Sequence, residues 1–183
     1  LAWDQYFSEQ ELSAFKQEFL EEGYFDSHLL MLPIAKSTEA LYLNKTLFAD
    51  FSAQTGVSMD QLQSCEGLFD AANIYFDWSG GKHFVQLNDF YHYALLGTKA
   101  YGGEFIRDGK LQLDDPAFET VWKLLAPTAI YGGICLDDGY AATRWKTVEI
   151  ISNIGSTADI LYQPDQVIYP DNTTQTVEII SMP

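Results

Sequence analysis

A mixed α/β fold is predicted by three features of the 183-residue sequence. Apolar residues recur at helical spacing in several stretches, most clearly Phe118, Val121, Trp122 and Leu125. Apolar runs too short to be helices, such as Ala40 to Leu43, lie between those stretches. Capping residues and glycines punctuate the alternation where helices should start and stop.

The elements follow in order. Ser8 can cap a first helix with Leu12, Phe15 and Phe19 on one face, ending at Gly23. Leu29 to Ala35 is apolar around Pro33, which suits an extended crossing. Ala40 to Leu43 reads as a buried strand, and Asn44 opens a helix that runs past Phe51 to Gly56. Ser58 and Gln61 form a capping box that should start a long helix with Leu62, Cys65, Leu68, Phe69 and Ala72 inward. After Gly80-Gly81 a strand is expected around His83 to Gln86. Asn88 or Asp89 then caps a helix bearing Phe90, Tyr93, Ala94 and Gly97, which stops at Gly102-Gly103.

Glu104 to Leu113 reads as a loop or small hairpin turning at Asp108-Gly109. Asp115 followed by Pro116 marks the next helix start, and Gly132-Gly133 its end. A short helix around Tyr140 to Trp145 precedes a β-branched strand, Thr147 to Ile154. Gly155 breaks that strand and Ser156 can cap a helix through Leu161. Gln163 to Gln175 is a candidate flexible loop, and Val177 to Ile180 a last strand.

A net charge of −16 with ten scattered Lys and Arg argues against nucleic acid, whose phosphates such a surface repels. No apolar run is long enough to cross a bilayer and no secretory signal is visible. The chain starts at Leu1 rather than Met, so a processed chain or a piece of a longer protein is expected. Cys65 and Cys135 form no CxxC. Cys65 on a helical stripe reads as a buried free thiol, with a disulfide to Cys135 the alternative in an oxidising compartment.

No dinucleotide, P-loop or hydrolase-elbow motif is present, and His28, His83 and His92 lack metal-site spacing, so neither cofactor nor metal is expected. Asp114-Asp115 reads as a helix cap and Asp137-Asp138 as a turn. The aromatic group Tyr75, Phe76, Trp78, Phe84, Phe90, Tyr91 and Tyr93 must be largely core. One or two members at a strand-to-helix junction could instead stack on a sugar ring. A carbohydrate-active enzyme or carbohydrate-binding module using these aromatics with Asp89 or Asp138 stays open, as does a protein-interaction domain using the acidic face.

The run Leu32-Pro33-Ile34-Ala35-Lys36-Ser37-Thr38-Glu39-Ala40-Leu41-Tyr42-Leu43-Asn44-Lys45-Thr46-Leu47-Phe48 resembles a known family. It is similar to the first hinge crossing of ABC-transporter extracellular solute-binding proteins of the maltose-binding, sugar-binding cluster (family 1), where "LP-x-x-x-(S/T)" continues as "LYYNKDLF". Later pieces keep the family's order. They are the "DPAFETVWKLL" helix, the short helix with Trp145, the turn Gly155-Ser156-Thr157-Ala158, and a closing strand ending in Met182-Pro183.

The resemblance implies a type II periplasmic-binding-protein lobe with a mixed sheet flanked by helices. Residues 1–31 would be a helical lead-in from the first lobe, and 32–183 the second lobe, bounded by hinge crossings near 32–38 and 177–183. It implies a non-enzyme that captures a small solute, a sugar first and a small anion or other polar solute as its rival. The partners would be a first lobe not contained in this sequence and a membrane ABC permease. The location would be extracytoplasmic, either periplasmic or as a lipoprotein anchored at the outer face of the membrane. Carried over, the ligand contacts are Ser37, Thr38 and Glu39 in the crossing, Asn88, Asp89, Phe90 and Tyr91 at the strand-to-helix junction, and Ser156 and Thr157 in the turn. Sugar binders of the family often place an acidic group or a Trp at the last two of these places, whereas small hydroxyl residues fill the turn here. Such a helix start can bind anions or polar oxygens, or Ser156 can simply cap its helix.

Overall fold

The computed structural model describes residues 1–137 and 139–182. Two compact units divide it, Leu1–Thr38 and the larger Glu39–Pro183.

In the first unit a 3-10 turn at Trp3–Gln5 precedes α1 (Glu9–Leu12), α2 (Gln17–Glu21) and a hairpin of β1 (Tyr24–Phe25) and β2 (His28–Leu29). The single first helix expected from Ser8 to Gly23 is therefore two short ones. Ser8 and Glu11 do form a capping box. However, the Ser13 hydroxyl donates to the Gln10 carbonyl, and the Gln17 amide donates to the carbonyls of Leu12 and Phe15. Polar side chains thus take helix carbonyls, which stops propagation. Leu12, Leu20 and Leu29 form a small core, with Phe15 packed against it. Phe19 is exposed instead, with the ammonium groups of Lys16 and Lys36 over its ring. Residues 30–38 run without helix or strand pairing, as the apolar run around Pro33 predicts.

The larger unit is built on a five-stranded mixed sheet. Its strands are β3 (Glu39–Asn44), β4 (Val85–Leu87), β7 (Ile134–Leu136), β8 (Ser152–Ser156) and β11 (Ile179–Met182). Their spatial order is β11-β3-β8-β4-β7. β4 pairs in parallel with both β7 and β8, while β3 pairs antiparallel with β8 and β11. Val177 to Ile180 was the expected last strand; the observed one sits two residues later, and Pro183, at the expected hinge end, lies outside the described residues.

Helices cover the sheet. Asn44 caps α3 (Lys45–Thr55), its Oδ1 accepting from the Leu47 amide at 3.0 Å. Gly56, with φ at +79°, ends that helix in the left-handed conformation glycine favours. The Ser58–Gln61 capping box is present, but it opens a 3-10 turn, Met59–Gln63. The long helix α4 (Cys65–Trp78) starts afresh at Ser64, whose extended backbone resets the chain. Leu62, Leu68, Phe69 and Ala72 are buried as expected, but Cys65, placed in the first turn by this restart, is exposed.

Asp89, not Asn88, caps α5 (Phe90–Ala100), accepting from the His92 amide at 3.0 Å. A hairpin of β5 (Ile106–Arg107) and β6 (Lys110–Leu111) turns at Asp108-Gly109. Asp115 caps α6 (Pro116–Tyr131), which stops at Gly132.

The segment expected as one strand from Thr147 to Ile154 divides. Thr147 ends α7 (Ala141–Lys146), Val148 takes a left-handed φ of +56°, and pairing begins only at Ser152. Arg144 and Thr147 both bond the Glu149 carboxylate, which holds this loop. Gly155 therefore lies inside β8 rather than ending it. Within the expected loop from Gln163 to Gln175, β9 (Gln166–Ile168) pairs with β10 (Thr174–Thr176).

One sheet face packs Leu41, Leu43, Val85, Leu87 and Ile134 against α3, α4 and α6 around Phe48, Phe51, Tyr75 and Phe84. The other face packs Ala40 and Tyr42 against Ala141, Trp145 and Ile150.

Candidate functional site

Side chains alternate along a strand, so residues in register across neighbouring strands share a face. Tyr42 is opposite Asn153, Asn153 opposite Gln86, and Gln86 opposite Cys135. This polar row crosses the face that α7 covers. Gln86, buried completely, donates from Nε2 to the carbonyls of Gly139 (2.6 Å) and Asp137 (3.3 Å) and to Asn88 Oδ1 (3.2 Å). Tyr42 donates to the Ser156 carbonyl at 3.2 Å. Asn153 is also fully buried, yet neither its amide nitrogen nor its oxygen has a hydrogen-bond partner among the described residues.

The row ends at a cleft of about 700 Å³ lined by Asn88, Tyr140, Asn153, Asp159, Tyr162 and Gln163, among others. It lies where β4, β7 and β8 end at their carboxyl termini, the edge at which open α/β sheets bind ligands. Because β3 runs the other way, its first residue, Glu39, reaches the same edge, in register with Ser156.

The edge carries an acidic cluster with one histidine. His92 Nδ1 lies 2.9 Å from Asp89 Oδ2 and 3.6 Å from Glu39 Oε1. Burial pushes the Glu39 carboxyl above its ordinary range; His92 pulls it down, and the charges of Asp89 and Asp159 push it further up. The Asn88 amide reaches Asp159 Oδ2 at 3.5 Å.

Glu39, Asn88, Asp89, Ser156 and Thr157 thus come together at one sheet edge. Of two other sequence candidates, Phe90 packs into the core edge-on to Trp122 at 5.9 Å, and Tyr91 is exposed between Phe105 and His92, whose ring lies 5.8 Å away. Ser37 and Thr38 belong to the first unit, in its exposed extended segment. Ser156 accepts from the Ala158 amide at 3.2 Å and so caps its turn, a six-residue 3-10 piece, Thr157–Tyr162, instead of a helix. Asp138 lies outside the described residues. Among the described residues no His/Cys/Asp/Glu group is arranged to hold a metal ion, and both cysteines are free thiols.

Sequence reading missed Asn153, Gln86, Asp159, Tyr140 and Tyr162. Asn153 had a signal, since a polar residue inside an apolar strand run is the informative kind of buried residue. Asp159 and the two tyrosines had none.

No family model and no curated protein matches the sequence. Solved structures do. UgpB from Mycobacterium tuberculosis, in complex with glycerophosphocholine, superposes with a TM-score of 0.68 at 19% identity, over 98% of this chain and 51% of that one. The GacH receptor of Streptomyces glaucescens GLA.O, known unliganded and with acarbose, gives 0.66 at 15% identity, over 87% and 41%. A sugar transporter from Arthrobacter chlorophenolicus A6 with bound laminaribiose gives 0.63 at 15%, over 97% and 49%. The chain therefore has the α/β fold of ABC-transporter solute-binding proteins. It spans about half the length of the structures it matches. Among the described residues, no helix is long and apolar enough to cross a membrane.

Proposed function

We propose that this chain is the second lobe of the substrate-binding component of an ABC importer, which captures a sugar or similar solute and delivers it to a membrane permease. One observation carries the reading. Glu39, Asn88, Asp89, Ser156 and Thr157, drawn from three segments far apart in sequence, meet at the carboxyl edge of the parallel strands. The fold shared with solute-binding proteins supports the same role, and those proteins hold glycerophosphocholine, acarbose or laminaribiose in their complexes. In this reading residues 1–31 lead in from a first lobe, residues 32–38 and 177–183 are hinge crossings, and the protein works outside the cytoplasm, in the periplasm or on a lipid anchor.

Calorimetry on the complete two-lobed protein tests this. A panel of neutral sugars, polyols and phosphate esters should contain at least one sugar that binds saturably and raises Tm by a few degrees at excess ligand. Absence of saturable binding across the panel would sink the reading. The isolated chain should bind the same sugar far more weakly, because the facing half of the contacts is missing. Micromolar affinity in the isolated chain would contradict the two-lobed site.

A further inference from the structure

We infer that a second cavity, walled by Tyr75, Trp78, Val148 and Tyr169, binds a small zwitterion, a molecule the size of an α-amino acid with one ammonium and one carboxylate. It shares no residue with the cleft of Asn88 and Asn153, so it goes beyond solute capture and does not depend on it.

The cavity, of about 330 Å³, lies at the other edge of the sheet. Lys82 comes just before β4 and Val148 just before β8, at the amino ends of strands whose carboxyl ends carry the cleft. Asp50 enters from α3, and Tyr75 and Trp78 from the last turn of α4. Tyr169 comes from the hairpin of β9 and β10.

The walls are held from behind. The Trp78 indole N–H donates to Gln54 Oε1 at 3.2 Å, and its ring lies 5.6 Å from that of Tyr75. The Tyr169 hydroxyl donates to Gln175. The Ser79 hydroxyl accepts from the Lys82 amide at 3.0 Å, which fixes the turn that presents Lys82.

Val148 is the wall that packing alone does not explain. It is β-branched, and its φ of +56° lies in the left-handed region such residues avoid. Its side chain is buried with Val167 and Val177, while Arg144 and Thr147 tie down the next residue, Glu149. Backbone strain over-determined in this way gathers at ligand sites.

The charges select the ligand. Asp50 and Lys82 line the same cavity, and among the described residues neither the carboxylate nor the ammonium has an ion-pair or hydrogen-bond partner. A lone cation would satisfy Asp50 and meet Lys82, a lone anion would do the reverse, and a neutral ligand would leave both charges unpaired. A zwitterion satisfies both, its ammonium on Asp50 and its carboxylate on Lys82. Burial, and then the charge of Asp50, pushes the Tyr169 phenol above its ordinary range, so Asp50 is close enough to act on this ring. An ammonium beside Asp50 therefore also has aromatic faces to rest on. Leu47 and Val148 leave apolar room for an aliphatic side chain. The volume falls at the lower end of the roughly 300–1,000 Å³ of small-molecule sites, which suits one small molecule.

The test is 1H–15N NMR on the labelled chain, titrated to about 20 mM because so small a ligand binds weakly. The probes are L-leucine, 3-methylbutylamine, which lacks the carboxylate, and 4-methylpentanoate, which lacks the ammonium. L-leucine should shift the Trp78 indole N–H and the Lys82 and Tyr169 amides saturably. Each single-charge analogue should bind about tenfold more weakly or worse. Asp50→Asn and Lys82→Gln should each weaken L-leucine about tenfold. Asp50 is exposed and Lys82 half-buried, so both variants should keep the rest of the spectrum unchanged.

Equal binding of the amine or the acid would overturn the zwitterion as ligand. Shifts confined to the Asn88 and Asn153 side chains would put leucine in the cleft and refute this cavity as its site. Wild-type affinity in both variants, or no response to any probe, would refute it as well.

Discussion

Glu39 and Ser156 face one another at the last rung between β3 and β8, so the first residue of the larger unit sits against the turn that follows β8. The rung brings a carboxyl from the start of the unit beside His92, Asp89 and Asp159, groups contributed by two other segments.

That carboxyl has a signed pH signature. Its folded-state pKa is raised by burial, with Asp89 and Asp159 adding to the rise and His92 opposing it. A raised carboxyl contributes stability below its unfolded pKa and loses it as pH rises through the folded value. Glu39→Gln should therefore gain on the wild type as pH rises above about 4, the ordinary carboxylate range. Denaturant midpoints at a series of pH values measure this; a gap that stays constant or reverses contradicts the assignment.

Asp115 should behave in the opposite sense. Amides of Ala117 (2.8 Å) and Glu104 (3.3 Å) donate to it and hold its carboxyl below the ordinary range. Its stabilisation is present above the unfolded pKa and lost as pH falls through the lowered one. Asp115→Ala should lower Tm by roughly 2–4 °C at neutral pH, with the difference shrinking below about pH 4. Thermal melts at the two pH values check it.

Phe51 is fully buried, with the rings of Phe48, Tyr75, Trp78 and Phe84 all within 6.0 Å centre to centre. Phe51→Ala should cost about 3–5 kcal/mol by chemical denaturation. A loss below 1 kcal/mol would mean this cluster is not the core of the unit.

Thiol labelling separates the two cysteines. Cys65 is exposed and Cys135 buried, and neither is bonded to the other. A disulfide-exchange reagent should modify Cys65 in the native protein and Cys135 only on unfolding. Unreactive thiols after denaturation would point to the disulfide instead.

What the sequence made legible was local. Asp115-Pro116, Asn44 and the Asp108-Gly109 turn are read from neighbours a few residues apart, and the structure forms them where expected. β7, β9 and β10 have three residues each, too few to display a period. Thr147 to Ile151 misleads because β-branched residues suit a buried loop as well as a strand, and the Glu149 bonds decide for the loop. At the site, Asp89 and Ser156 are legible as junction residues. The row Tyr42, Asn153, Gln86 and Cys135 is not, because register between distant strands creates it.

The pairing of β11 with β3 has a mechanical consequence. The chain enters the sheet at Glu39 and leaves it at Met182, and both lie at one end of the same ladder, whose rungs run from Leu41–Met182 to Asn44–Ile179. A force pulling these two points apart would load one rung at a time, opening the ladder like a zipper rather than shearing it. β3 is held on its far side by β8, so β11, the edge strand, is the piece that peels. β11 contributes nothing to the lining of the cleft, so the first tear would leave Asn153 and its neighbours in place.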